Sequence, residues 1–298
     1  MEHKTLRAQT ILYHNHIDGL CKSLSSLAKA VEVSKNKGGA INFLEVYYGD
    51  ASSEPILTQE QIDSFNERFG EFLKVTYTFF GFNSGTSKGQ NLMFKDCETD
   101  YLMAYNPDVI VCPDYFLEMM KPYQRMEKVG MVEAKQSPLE HPKEFDSCSG
   151  IEPWGAMACV IIPTSVYREL GGLDEDNFFL YCDDVDFSWR VRLAGYKVVY
   201  QSRAFVYHSK HIDNNGHVVP TNAELYYSAE AFLLMCHKWS NPSLLKKLIA
   251  IYSAGTTHQK KALAEYYRRR DNGLLPEPLD KDHKITTFSG FGYSKNRY

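Results

Sequence analysis

The stretch Leu173–His208, LDEDNFFLYCDDVDFSWRVRLAGYKVVYQSRAFVYH, decides how this chain is read. It places Asp183, Asp184 and Asp186 within four residues and flanks them with Phe178, Phe179, Tyr181, Phe187 and Trp189. A solvated acidic loop has no such aromatic surround. Carboxylates held against apolar groups have raised pKa values and can accept protons in catalysis. Asp186 lies four residues before Arg190, the spacing of an ion pair on one helix face, so its expected role is structural. Arg190 and Arg192 fit either a diphosphate contact or an ordinary surface position. Gly195 then turns the chain into a β-like run that closes at His208.

Upstream, apolar strands alternate with amphipathic helices. Thr5–Tyr13 reads as a buried first strand, and Ile17–Val33 carries Leu20, Leu24, Leu27 and Val31 at helical spacing. Ala40–Tyr48 is a second strand, closed by Gly49-Asp50. Thr58–Phe72 is a helix that opens on a capping-box pattern, and Leu73–Phe80 is a third strand. Such alternation implies an α/β fold, with a mostly parallel central sheet and helices on both faces. Ligands in these sheets bind beyond the carboxyl ends of the strands. That rule puts His14, Asn15, His16, Asp50 and Asn83 at one rim.

Two further segments carry candidate chemistry. Asn83, Gly85, Gly89 and Asn91 open a helix running to about Cys97, where backbone N–H groups can meet an anion or simply form a tight turn. Asp100–Tyr105 is a strand ending in Asn106-Pro107-Asp108. A carboxylate on such a tip can hold a hard cation, although Asn-Pro-Asp is also good turn chemistry. Pro113–Lys128 reads as a helix, Gly130–Gln136 as a strand and the polar 137–151 segment as a loop. Met157–Ile162 is another apolar run, followed by a helix from Thr164 to Leu170. Trp154 fits either a sugar-stacking or a core position.

Three motifs in order, NSGTSKGQN, DYLMAYNPD and ELGGLDEDNFFLYCDDVDFSWRVRLAGYKVVY with its downstream VYH, resemble the inverting GT-A glycosyltransferases of the family-two kind. The rhamnosyltransferase-like subgroup of bacterial polysaccharide assembly is the most similar. The resemblance spans roughly Thr5 to Trp239. It implies a GT-A fold with C-terminal helices, and transfer of a sugar from a nucleotide-diphosphate sugar to a hydroxyl on a glycan or lipid-linked saccharide. It implies Asp184 as catalytic base and Asp183 as a residue that orients a hydroxyl. It implies Asp108 and His208 as ligands of a divalent cation, Mn2+ or Mg2+. His14, Asn15, Asp50, Asn83, Gly89, Asn91 and Asn106 would then lie along the nucleotide. The chain departs from the family pattern at Asn106, where an acid is usual, and at Asp183, where a glutamate is usual. On this reading 1–240 is the catalytic domain, and 241–298 is a helical extension with a flexible, poorly anchored tail.

Bulk properties agree with a globular enzyme. The chain has 298 residues, 44% of them hydrophobic, enough for a sizeable core. A net charge of -4 argues against a nucleic-acid partner. Seven scattered cysteines without a C-x-x-C pair suggest free thiols in a reducing compartment. No run approaches the roughly 20 apolar residues of a membrane span, so a cytoplasmic location is expected. Asn222–Trp239 and Ser243–Tyr252 are helical, and Lys246, Lys247, Lys260, Lys261 and Arg268–Arg270 make this region basic. Its apolar stripe suits a peripheral contact at the inner membrane face, a homodimer partner or the chain's own catalytic domain. His211 and His217 lie in a polar loop with no cysteine near, so zinc is not expected there. Two rival readings are a sugar-phosphate nucleotidyltransferase and a non-catalytic nucleotide-sugar-binding scaffold. The first normally shows a Gly- and Arg/Lys-rich loop after its first strand, where this chain has His14-Asn15-His16.

Overall fold

The computed structural model describes residues 2–209 and 219–296. The first half is built from β1 (Leu6–Leu12), α1 (Ile17–Asn36), β2 (Leu44–Asp50), α2 (Gln59–Phe69), β3 (Leu73–Phe79), α3 (Gly85–Phe94) and β4 (Tyr101–Tyr105). β1 is buried along nearly its whole length, as a strand covered by helices on both faces must be. α1 turns Leu20, Leu24, Leu27 and Val31 into the core. α2 begins with the expected capping box: Thr58 Oγ1 accepts from the Gln61 N–H, and the Gln61 side chain accepts from the Thr58 N–H.

The second half comprises β5 (Val109–Val111), α4 (Tyr115–Met119), α5 (Lys121–Arg125), β6 (Val129–Ser137), β7 (Cys159–Pro163), α6 (Thr164–Glu169), α7 (Asp183–Leu193), β8 (Lys197–His208), α8 (Asn222–Lys238), α9 (Pro242–Ser253) and α10 (Thr257–Asp271). The single helix expected over 113–128 is two short ones, with Pro122 in the first turn of the second. The sheet order is β3-β2-β1-β4-β7-β6-β8-β5. β3, β2, β1 and β4 run parallel, as do β6 and β8. β7 is antiparallel to both its neighbours, and β5 is antiparallel to β8. The inversion at β7 follows from its connection. The chain between β6 and β7 contains no crossover helix, so it cannot return the strand in parallel. After β3 the chain crosses back to the other side of β1. The β1–β4 boundary is therefore a switch point, with a crevice at the carboxyl ends of both strands.

A second core lies beneath the C-terminal helices. Phe178, Trp189, Phe232, Leu233 and Trp239 pack there with residues of α9 and α10. The stripe Leu244, Leu248 and Tyr252 of α9 is buried in this core. Arg268 and Arg269 are paired with Glu265 on their own helix. The tail, expected to be loosely anchored, is held in place. Phe288 and Tyr293 pack edge-on against Trp189 with ring centroids 5.2 and 5.9 Å away, the Leu279 N–H donates to Lys238 O, and Arg192 Nη1 donates to Ile285 O. Apolar residues spaced through a polar segment supply these anchors.

α7 is tied to the end of α8 at Asp186, which has no exposed surface. One carboxylate oxygen takes Arg190 Nε at 2.8 Å; the other takes Lys238 Nζ at 2.6 Å and Trp239 Nε1–H at 3.0 Å. The i,i+4 pairing with Arg190 is the one the sequence suggests. Removing one partner of a buried ion group leaves the others uncompensated. Asp186→Ala is expected to destabilise the fold by about 3 kcal/mol, measured as a lowered urea midpoint with an unchanged slope.

Candidate functional site

The tip of β4 and the end of β8 come together. Asn106 N–H donates to Ala158 O and Val109 N–H closes the Asn-Pro-Asp turn onto Asn106 O. β5 then pairs with β8 so that Val109 faces His208. This register sets Asn106 Nδ2 3.1 Å and Asp108 Oδ1 3.6 Å from His208 Nε2. On the other side of the ring, His208 Nδ1 lies 2.9 Å from Gln136 Oε1. An amide oxygen can only accept, so Nδ1 carries a proton, and Nε2 faces Asn106 and Asp108. One carboxylate and one imidazole are groups that can hold a divalent cation. Among the described residues no group of three His, Cys, Asp or Glu side chains gathers as a metal cage. His211 and His217 lie outside the described residues.

The second pole is the start of α7. Tyr181 and Cys182 both adopt left-handed backbone conformations, φ 70° and 59°, and Cys182 caps the helix. Non-glycine residues in this region cost about 1–3 kcal/mol each, so surrounding contacts must hold the turn. One is the Cys182 thiol at 2.9 Å from the Tyr293 hydroxyl; another is the bond from Tyr181 Oη to Glu224. The turn delivers Asp183 into the interior and Asp184 to the wall of a cavity of about 780 Å³. Burial raises the pKa of both. Asp184 reaches about 6, with the Val185 N–H and the charge of Lys143 limiting the rise; Asp183 is raised further by burial and by the neighbouring Asp184 charge.

A polar network joins the poles. Gln136 donates to Glu133, and Lys143 is buried between Glu133 and Glu152, 3.3 Å from the latter. Burial opposes the lysine charge, but the two glutamates outweigh it and hold its pKa above the ordinary value. Glu152 has its pKa raised well above that of an ordinary glutamate, first by burial and then by Glu133. Lys143 also sits 4.1 Å over the Trp154 ring, which packs against His141 and Tyr293 as well. Trp154 therefore belongs mainly to the packing of this wall. The chain also joins the poles through neighbouring residues: the Met157 backbone bonds to Asp184, and Ala158 O receives Asn106 N–H.

The expected nucleotide-side residues divide into two groups. His14 is exposed, with φ 56° and its N–H on Ser52 Oγ, and Asn15 Oδ1 accepts from Tyr13 N–H. Asp50 is buried and accepts from the Ser52 and Ile56 N–H groups and from the Tyr77 hydroxyl, so it shapes the 51–57 loop at the rim. Asn83 Oδ1 caps Gly85 N–H. Gly89 and Asn91, expected beside the nucleotide, have packing roles. A Cβ on Gly89 would lie 2.4 Å from Ile11 Cδ1, so the glycine is needed where α3 meets β1. The Asn91 amide bonds Leu173 N and O, the Tyr167 hydroxyl and Glu175, and so fixes the approach to α7. The start of α3 is closed by Phe179 O, which accepts Thr86 N–H where only Gly85 leaves room. Arg190 donates to Leu170 O and Gly172 O, and Arg192 to Pro153 O and Ile285 O. Both arginines thus serve the fold rather than a diphosphate. Gln136, Glu133, Lys143, Glu152 and Tyr293 were not singled out by sequence reasoning, because nothing in their local pattern marks them as buried.

No protein-family model matches the sequence, and no curated protein matches it. Solved structures do. A structure of GalNAc-T7 with UDP, GalNAc and Mn2+ superposes with a TM-score of 0.63 at 11% identity, over 95% of this chain and 57% of that one. The mannosyltransferase PcManGT from Pyrobaculum calidifontis, with GDP-Man and Mn2+, gives 0.56 at 14% identity over 92% and 84%. S. aureus TarS 1–349 with UDP-GlcNAc gives 0.55 at 13% identity over 90% and 73%. The chain spans just over half the length of the first of these proteins. Likeness at this identity is likeness of fold: the chain has the GT-A glycosyltransferase fold.

The buried lysine gives a test of this architecture. Lys143→Met leaves two buried glutamates without their cation, at an expected cost of roughly 3 kcal/mol near neutral pH. Carboxylates with a folded-state pKa above the unfolded one stabilise below the unfolded pKa and lose that contribution as pH rises. Urea unfolding from pH 4.5 to 8 should therefore show the deficit widening with pH. A deficit that shrinks with rising pH would contradict the arrangement.

Proposed function

We propose that the protein transfers a sugar from a nucleotide-diphosphate sugar to an acceptor hydroxyl, by one displacement with inversion. The observation that carries this reading is Asp184, a carboxylate with raised pKa on a cavity wall and in the field of Lys143, whose partner Glu133 accepts from the same Gln136 that bonds His208. Asp184 accepts the proton of the acceptor hydroxyl as its oxygen forms the bond to the anomeric carbon. The bond from that carbon to the diphosphate breaks, and the diphosphate leaves with the electron pair. Asp183, buried and off the cavity wall, has its pKa raised by burial and by the Asp184 charge, so the two carboxylates titrate as a pair. Asp108 and His208 would hold a divalent cation, which when bound supplies positive charge to the leaving diphosphate. His14, Asn15 and the Asp50-shaped loop lie at the rim expected to receive the nucleotide. Two of the similar structures were solved with Mn2+ and with UDP or GDP-mannose, which supports the donor class. The motif order further supports a rhamnosyltransferase-like member acting in polysaccharide assembly.

Three outcomes test this. Asp184→Asn should lower kcat by about 10²- to 10⁴-fold while calorimetric binding of the donor persists; near-normal turnover would remove the base assignment. In the parent enzyme, kcat/KM should fall as pH drops through about 6, because protonated Asp184 cannot accept a proton. An acid limb near pH 4 would show that the base does not have the raised pKa of Asp184. His208→Ala should weaken Mn2+ binding roughly ten- to hundred-fold, read by electron paramagnetic resonance in the presence of UDP or GDP. Silence across UDP-, GDP- and dTDP-sugars, with and without Mn2+, would sink the transferase reading.

A further inference from the structure

The stretch 279–296 lies outside every helix and strand named above, yet it is fastened along its length. Leu279 N–H donates to Lys238 O, and Leu279 O accepts from Ser240 Oγ at 2.6 Å. The Asp280 carboxylate then closes a turn by accepting from the N–H groups of Lys284, Ile285 and Thr286. A second turn, in which Ser289 and Gly292 exchange N–H to O bonds, doubles the chain back, and Thr287 Oγ1 donates to Tyr293 O at 2.8 Å. Tyr293 is the hub of this arrangement. Its ring meets Trp154 of the segment before β7, Trp189 of α7 and Phe232 of α8, with centroids 6.3, 5.9 and 5.4 Å away. Its hydroxyl lies 2.9 Å from Cys182 Sγ. Just beyond it, Lys295 O accepts Glu144 N–H at 2.9 Å, and Asn296 makes an antiparallel β-bridge with Lys143. The run 293–296 thus grips both the turn that presents Asp184 and the segment that inserts Lys143. Neither is a structure that holds itself. The turn carries two left-handed non-glycine residues, and the segment places an ammonium in the interior. Phe288 already packs on Trp189, so covering the core does not account for the reach of Tyr293 to Cys182 and Trp154. Tyr293, Ser294 and Asn296 also line the cavity that Asp184 borders.

We propose that Tyr293 is a positioning residue for Asp184, and that the segment carrying it is a strap holding the Tyr181–Cys182 turn and the Lys143 segment in the one arrangement that presents the base. The inference rests on the transferase reading for the role of Asp184, and on the contacts of the strap for its own. Tyr293 acts through the turn and touches no reacting atom. Two consequences follow from releasing it. The base loses its place, and a displacement of about 1 Å can cost on the order of a hundred-fold in rate. Water also enters beside Asp184, whose raised pKa is due first to burial. The groups facing that carboxylate are Asp183 on its own helix, Tyr181 and Cys182 in the turn, Lys143 and Glu133 across from it, and Tyr293 itself. Solvation lowers a carboxyl pKa raised by burial.

The test compares Tyr293→Leu, which removes the ring contacts and the hydroxyl, with Tyr293→Phe, which removes the hydroxyl alone. Hydrogen exchange read by mass spectrometry needs no substrate. In Tyr293→Leu the amides of 141–146 and 181–186 should exchange about ten-fold faster, while those of β1 and α1 keep the parent rate. With a nucleotide-sugar donor, kcat should fall by about ten- to hundred-fold, with UDP or GDP affinity in Mn2+ unchanged. The acid limb of kcat/KM should move below about 6, because a base open to water ionises more easily. Tyr293→Phe should restore the acid limb and most of kcat. If Tyr293→Leu does not fold, Thr287→Val, which loses only the hydroxyl bond to Tyr293 O, carries the same comparison. Faster exchange spread evenly over the chain, or a lowered kcat with the acid limb still at about 6, shows a merely structural tail and overturns the proposal. Normal turnover by Tyr293→Leu removes this inference alone. Faster exchange confined to the two segments, in a protein that turns over no donor, supports the strap and removes the transferase reading alone.

Discussion

The carboxylate of Asp186 is the contact on which the geometry of the site depends. It is sealed from water and satisfied by Arg190, Lys238 and Trp239. Buried ion groups of this kind contribute little net stability compared with a hydrophobic replacement. What they supply here is register. Lys238 and Trp239 lock the end of α8 to α7, and Arg190 reaches the carbonyls of Leu170 and Gly172 to fix the entry to the same helix. With both ends of the segment held, the left-handed turn at Tyr181–Cys182 has one way to present the aspartates that follow it.

The electrostatics of the pocket follow from unequal burial. Asp183 and Asp184 share a helix start, where the peptide dipoles favour negative charge. Desolvation acts against that preference and wins, more strongly for the deeper residue. The Val185 N–H and then the charge of Lys143 hold the rise at Asp184 in check. The same lysine neutralises Glu133, whose neighbour Gln136 orients His208. One ammonium thus conditions both the expected base and the expected metal ligand. That arrangement explains why a lysine from an irregular segment is buried at all, against the usual preference of lysine for water.

Much of this was legible in the residues. The parallel strands and α1, α2, α7 and α8 follow from apolar periodicity and capping patterns, which are local. The pairing of Asp108 with His208 was legible only through motif order, because the residues are distant in sequence and meet through the β5–β8 register. The antiparallel β7 was hidden, since an apolar run does not announce its direction. Lys143 and Glu152 were hidden because a charged residue in a polar loop looks solvated until its partners are known. The close packing of Gly89 and the four-way amide bond of Asn91 were hidden, because an amino-acid type alone does not show what it packs against. The tail looked loose because its apolar residues are few and spaced among polar ones, although Phe288 and Tyr293 reach Trp189 and dock it.

The contact between Cys182 and Tyr293 has a practical side. Burial raises that thiol's pKa well above the ordinary cysteine value, so the sulfur beside the catalytic candidates stays protonated and chemically quiet. Of the seven free cysteines, Cys148 is the exposed one, on the loop that carries Lys143 inward. Maleimide chemistry at neutral pH will therefore favour one position, five residues along the chain from the buried ammonium. A fluorophore attached there would report whether that loop lifts when the pocket fills, without a single engineered cysteine.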